Sequence, residues 1–256
     1  MDVMDVRKAL LGLCLILFSM VAHGGEIYCA RRIDDPESDS AKVFLDFGIK
    51  VDDCTTAKLE GTIEQGDVSK ISNFLADNPS VIYVKLNLVG GDVNESMRIG
   101  RLLRRWSVFT FATGSDTCAS SCVLIWLGGA YRDADEDHLK VHRFYILDEE
   151  FRQMNGTEID EFYRDLTQQL RKYLSSMGVE SDQDELIRSI MTTPPEDLNV
   201  VNRLSHPRLF GVPTSRDQWI RANGCSLDGS VGAPSCLLRL ILRDRQNTGL
   251  LASQSD

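Results

Sequence analysis

The run Cys118-Ala119-Ser120-Ser121-Cys122 carries two serines. Behind it come Val123-Leu124-Ile125-Trp126-Leu127 and Gly128-Gly129, with no charged residue before Arg132. Small residues ahead of an apolar run predict a buried helix opened by Ala119, Ser120 and Ser121. A serine at the mouth of such a helix lies beside backbone N–H groups that lack an intrahelical partner and favour negative charge. Acyl transfer through a serine nucleophile needs that setting, because an oxyanion develops next to the attacked carbon. A serine there can equally be a plain helix cap, its commoner use.

The elements around this turn follow from hydrophobic patterning. Residues 26–33 and 43–51 read as short strands separated by a polar, loop-like stretch at 34–40, and residues 59–63 alternate like a half-buried strand. Asp67 caps a helix burying Val68, Ile71, Phe74 and Leu75, which Asn78-Pro79 ends. Residues 81–88 form the best strand pattern. Gly90-Gly91 follows at once, and then a helix with Ile99, Leu102, Leu103 and Trp106 on one face. Residues 108–112 and 139–144 read as further strands. This alternation predicts an α/β fold with a parallel sheet and crossover helices. Sites in such sheets form at the carboxyl ends of the strands, and both Gly90-Gly91 and the serine turn fall on that edge. Beyond it, Thr157 caps a long helix with Ile159, Phe162, Leu166, Leu170 and Leu174 in its stripe, and a shorter helix at 184–191 stops at Pro194-Pro195.

Composition limits what the chain can do. The chain opens with Arg7-Lys8, then an apolar run at 9–22, then Ala22-His23-Gly24 as a small-x-small site. This predicts a cleaved signal peptide over 1–24 and a mature chain from Gly25. The apolar run falls short of the about 20 residues of a membrane span, so membrane contact is expected only if this segment stays uncleaved. Of seven cysteines, Cys14 leaves with the leader. The even remainder suggests disulfides in an oxidising compartment, periplasmic or secreted, and its grouping suggests Cys29–Cys54, Cys118–Cys122 and Cys225–Cys236. No cysteine or histidine spacing fits a zinc site, and neither a metal nor another cofactor is expected. A net charge of −10 without a basic stripe argues against nucleic acid as a partner. One domain over 25–212 is expected, with 213–256 as a loop-like, disulfide-tied appendage and frayed tail.

Taken with their spacing, these motifs resemble the Clp-protease/crotonase superfamily, and within it the secreted Clp-like serine peptidases. There a strand ends in Asn-x-x-Gly-Gly, here Asn87-Leu88-Val89-Gly90-Gly91. A Gly-x-(Ala/Cys)-Ala-Ser turn follows, here Asp116-Thr117-Cys118-Ala119-Ser120, and later a strand ending in histidine, here Val141-His142. The likeness spans roughly residues 59–212. It implies repeated ββα units with a parallel sheet and crossover helices, a peptide or protein substrate, and self-association into a homo-oligomer. It also implies Ser120 as nucleophile, His142 as general base, and the N–H groups of Gly91 and Ser121 as the oxyanion hole. The third triad member falls on Asp197, ahead of Ser205 and Phe210-Gly211-Val212, with Glu196, Asp182 and Asp184 nearby. His138 and His206 are rivals to His142, and Ser121 to Ser120. The chain departs from the pattern at Leu88-Val89, at Asp116 in place of glycine, and at Arg143 after the histidine. Asp116 would oppose an oxyanion if it faced the site. The alternatives are a catalytically silent module that keeps the fold for binding or assembly, and a thioester-handling enzyme, for whose coenzyme phosphates no basic cluster is present.

Overall fold

A computed structural model describes residues 24–144, 153–213, 220–225 and 233–251. The expected leader up to His23 and the end of the expected tail, 252–256, lie outside these residues. The fold is mixed α/β, built on an eight-stranded sheet. Strands β1 (Glu26–Arg31), β2 (Thr56–Ile63) and β3 (Tyr83–Gly91) lead into a fork. The first half of β3 pairs with β4 (Phe109–Ala112), and Leu88, further along it, pairs with β5 (Cys118–Ala119). Strand β4 continues to β6 (Tyr131–Ala134), and β5 continues to β7 (Leu139–Val141) and β8 (Asn199–Val200). The pairs β1–β2 and β7–β8 are antiparallel and the rest are parallel.

The helices are α1 (Asp39–Asp46), α2 (Asp67–Asp77), α3 (Val93–Arg105), α4 (Cys122–Leu127), α5 (Gly156–Ser176), α6 (Gln183–Thr192) and α7 (Ala233–Asn247). In chain order β4, β5 and α4 form one β-β-α unit, and β6, β7 and α5 form the next. Each unit gives its first strand to one branch of the fork and its second to the other. The main core lies among the sheet, α2, α3, α4, α5 and α6, with α4 buried all round. That explains its unbroken apolar run: a helix covered on every side has no polar face to show.

Gly66 rather than Asp67, and Asn155 rather than Thr157, stand at the N-caps of α2 and α5, and two longer stretches also differ from the sequence expectation. Residues 43–51 are not a strand, because Ser38 accepts a hydrogen bond from the Ala41 N–H and starts α1 there. The loop-like reading after residue 213 missed α7, whose Leu237, Leu238, Ile241 and Leu242 join Phe44, Ile82 and Phe109 in a second core on the other side of the sheet. Arg245 of α7 is buried, and it donates to the carbonyls of Pro79, Val81 and Trp106. Burial pushes its guanidinium down to about 9 against the nearby charge of Asp244, so it remains a cation at neutral pH.

Candidate functional site

The serine turn is made by a strand, not by the start of a helix. Cys118 pairs with Leu88 of β3 and Leu139 of β7, and Ala119 pairs with Lys140, so both residues are held in an extended ladder. Ser120 then breaks the ladder. Its N–H donates to the Lys140 carbonyl at 2.8 Å, while its φ is +58°, in the left-handed region. A serine there costs about 1–3 kcal/mol, and such residues persist only where the surroundings fix them. The helix α4 begins two residues later, so the expected opening at Ala119 is corrected: pairing on both sides satisfies the backbone of Cys118 and Ala119 as strand. Ser120 is 8% exposed at the turn, with its side chain against Gly90.

Each glycine of the pair is required by a different neighbour. At Gly90 (φ +107°) a Cβ would lie 2.6 Å from the Ser120 Cβ and 3.1 Å from its Oγ. At Gly91 (φ +136°) a Cβ would lie 2.1 Å from the Ile63 carbonyl oxygen on β2. Gly90 therefore admits the serine, and Gly91 admits the neighbouring strand.

Ser121 is fully buried and its hydroxyl is committed. It donates to the Gly91 carbonyl at 3.1 Å and accepts from Ser96 Oγ of α3 at 3.0 Å. The chain Ser96–Ser121–Gly91 thus pins the end of the glycine pair to the serine turn. Ser96 escaped the sequence reading, although it shares a helical face with Ile99, Gly100 and Leu103. Alongside it, a Cβ at Gly100 would strike the Tyr173 hydroxyl of α5 at 1.9 Å, so the three helices cross closely here.

His142 follows Val141 at the end of β7, beside β5 in the same parallel ladder as Ser120. It is buried, and its Nδ1 lies 3.0 Å from the Arg143 carbonyl oxygen. The rivals are occupied elsewhere: His138 Nδ1 meets the Asp116 carbonyl, and buried His206 meets Ser205 Oγ at 2.9 Å. Strand β8 pairs Asn199 with Val141, and beyond that pair the Arg143 N–H donates to the Thr193 carbonyl at 2.8 Å. Asp197 is exposed and its N–H donates to the Pro194 carbonyl at 3.1 Å. Val89, next to the glycine pair in the chain, and Leu198, next to Asn199 of β8, are 67% and 52% exposed.

Asp116 is buried and its carboxylate is paired with cations. Its carboxylate lies 3.0 Å from Lys58 Nζ and 3.9 Å from Lys85 Nζ, and Lys58 also reaches Glu60 at 3.1 Å. The hydrogen bond to Asp116 raises the Lys58 pKa, and Lys58 in turn lowers that of Glu60. The Asn87 side chain of β3 accepts from the Thr117 N–H at 3.1 Å, and the Leu88 N–H donates to the Thr117 carbonyl at 2.7 Å. This clamps the loop that enters β5.

Three disulfides close as the cysteine grouping suggested: Cys29–Cys54, Cys118–Cys122 and Cys225–Cys236. They fit an oxidising, extracellular or periplasmic setting. Cys118–Cys122 spans the left-handed serine with its Cα atoms 5.2 Å apart. Among the described residues no helix is long and apolar enough to cross a membrane. A groove of about 650 Å³, lined among others by Phe44, Tyr83, Lys85 and Phe111, lies on the β1–β4 flank away from Ser120, and we place no chemistry there. No protein-family model matches the chain, and no curated protein matches its sequence.

Proposed function

We propose that the protein is an exported serine hydrolase of Clp/crotonase-like architecture, acting on peptide or protein substrates through Ser120 and His142. The observation that carries this reading is the left-handed Ser120, held between a disulfide and a glycine whose missing Cβ makes room for it. Strained turns that present one side chain are kept where that side chain has work to do. The committed hydroxyl of Ser121 supports Ser120 as the nucleophile of the two. The forked sheet and its β-β-α units support the architecture.

In the mechanism, the Ser120 hydroxyl attacks the peptide carbonyl and its proton passes to His142. The N–H groups of Gly91 and Ser121 receive the oxyanion, and His142 then protonates the leaving amine. Water hydrolyses the acyl-serine by the same route. The Arg143 carbonyl accepts from Nδ1–H and leaves Nε2 as the proton acceptor, the tautomer that a triad carboxylate would fix. Asp197 is the carboxylate candidate that the resemblance supplies. Val89 and Leu198 favour apolar side chains beside the scissile bond. Self-association is expected by resemblance.

The silent-module alternative draws on the exposed position of Asp197, the carboxylate that the resemblance gives to the triad. Hydrolysis of unfolded protein and apolar peptides by the wild type, Ser120→Ala and His142→Ala separates the two. The reading requires activity in the wild type and its loss in both variants. No turnover in the wild type favours the silent module, and equal turnover in all three removes Ser120 and His142 from the chemistry.

A further inference from the structure

The carboxylate of Asp67, the first residue of α2, is 0% exposed, and the chemistry proposed above makes no use of it. Its Oδ2 accepts from the Glu64 N–H and from the Gly25 N–H, both at 2.8 Å, and its Oδ1 meets Lys70 Nζ at 2.7 Å. The Gly25 nitrogen is the one that a cut after Ala22-His23-Gly24 would release as an amine. We infer that Asp67 is the built-in receptor for the α-ammonium of a chain processed to Gly25, so that removal of the leader completes a buried ion pair.

The surroundings are cut to that end of the chain. A Cβ on Gly25 would lie 3.0 Å from both Asp67 Oδ2 and Ile63 Cδ1, and one on Gly24 3.0 Å from Glu64 Oε2. A larger residue at either position would crowd the carboxylate. Cleavage adds water across the Gly24–Gly25 bond: the carbonyl carbon leaves as the Gly24 carboxylate, and the nitrogen becomes an ammonium. One neutral donor is thereby replaced by a cation with three donors, beside a carboxylate whose other cation, Lys70, is well exposed. Charge-assisted bonds of this kind are roughly twice as strong as neutral ones.

The pair also lies close to the glycine pair. Asp67 and Glu95 together hold the β2–α2 turn, because Glu95 Oε1 accepts from the Gly66 and Val68 N–H groups. Just before that turn the Ile63 carbonyl accepts from the Asp92 N–H at 2.9 Å and fills the space beside Gly91. A terminus docked on Asp67 therefore steadies the strand against which Gly91 is seated.

The test compares three full mature chains: one with a free Gly25 amine, one with that amine acetylated, and one retaining Gly24 as an added residue. Each is read by urea unfolding, in wild type and in Asp67→Asn. The free-amine chain should have an unfolding equilibrium constant about tenfold smaller than the other two, and Asp67→Asn should shrink that gap below about twofold. If Asp67→Asn does not fold, the acetylated and extended chains still decide by themselves. Equal stability of the three forms overturns the inference, as does an exported product whose N-terminal mass is not that of a chain beginning at Gly25. Neither readout involves hydrolysis, so this inference and the catalytic reading can fail separately.

Discussion

At Ser120, backbone and chemistry make opposing demands. Glycine would relieve the left-handed strain, while only serine supplies the hydroxyl. Ser120→Gly should therefore raise the thermal midpoint, with a gain of about 1 kcal/mol, and abolish hydrolysis; a destabilised glycine variant would show that the hydroxyl holds the turn. The cluster of Lys58, Glu60 and Asp116 gives a prediction in pH. Because Lys58 lowers the pKa of Glu60 in the folded protein, this contribution to stability is present above the ordinary glutamate value of about 4.3 and is lost as pH falls through the lower folded value. Acid unfolding of Glu60→Gln, followed by circular dichroism, should show a shallower loss below about pH 4 than the wild type. Parallel curves would remove Glu60 from the acid response. At this scale the sequence shows residue types well and backbone angles poorly. The serine, the glycine pair and the histidine stand out by spacing, but nothing in Cys-Ala-Ser-Ser-Cys says that Ser120 turns left-handed while Ser121 starts a helix. Ser96 was hidden because one hydroxyl on an apolar helix face looks like any tolerated small residue.

Among the elements, the site depends on how closely three turns approach. Gly90→Ala combines a φ of +107° with a Cβ 2.6 Å from Ser120, so it should cost roughly 2 kcal/mol or more and abolish hydrolysis. Unfolding and activity measured on the same sample check both parts, and an active, stable alanine variant would mean the approach is looser than described. The Cys118–Cys122 bridge closes a very short loop, so its entropic gain is small beside the roughly 3 kcal/mol of a 15-residue loop. Its effect should be local, on the strained serine. The double variant Cys118→Ala, Cys122→Ala should fold nearly as well and lose kcat rather than KM, and a rise in KM alone would assign the bridge to substrate binding. The parallel alternation was legible because β3, α3 and β4 each carry a clean period. Strands β5 and β8 were not, since two residues held by neighbouring strands leave no pattern of their own. Helix α1 reads as strand because Val43, Leu45 and Ile49 sit among alternating residues while its cap, Ser38, lies in a polar stretch that reads as loop.

For the whole molecule, the sheet is closed from both sides, and the second layer comes from the end of the chain. Arg245 fastens α7 by donating to three carbonyls near the ends of α2 and α3. Arg245→Leu strands these buried acceptors and should cost about 3 kcal/mol. The loss should appear as lower cooperativity in urea unfolding if α7 leaves first, and an unchanged midpoint would mean that the apolar face of α7 suffices. Sequence composition hides this layer, because the segment before α7 is rich in glycine and serine and reads as loop up to the helix behind it. Compartment was more legible: even cysteine counts and their grouping by proximity carried over into three bridges.

The most direct measurement is the site of covalent labelling by a serine-reactive fluorophosphonate on the oxidised protein, mapped by mass spectrometry. The account predicts a single adduct on Ser120, formed quickly in the wild type, slowly or not at all in His142→Ala, and with Ser121 unmodified. An adduct on Ser121, or a folded wild type with all three disulfides that takes no label, would contradict it.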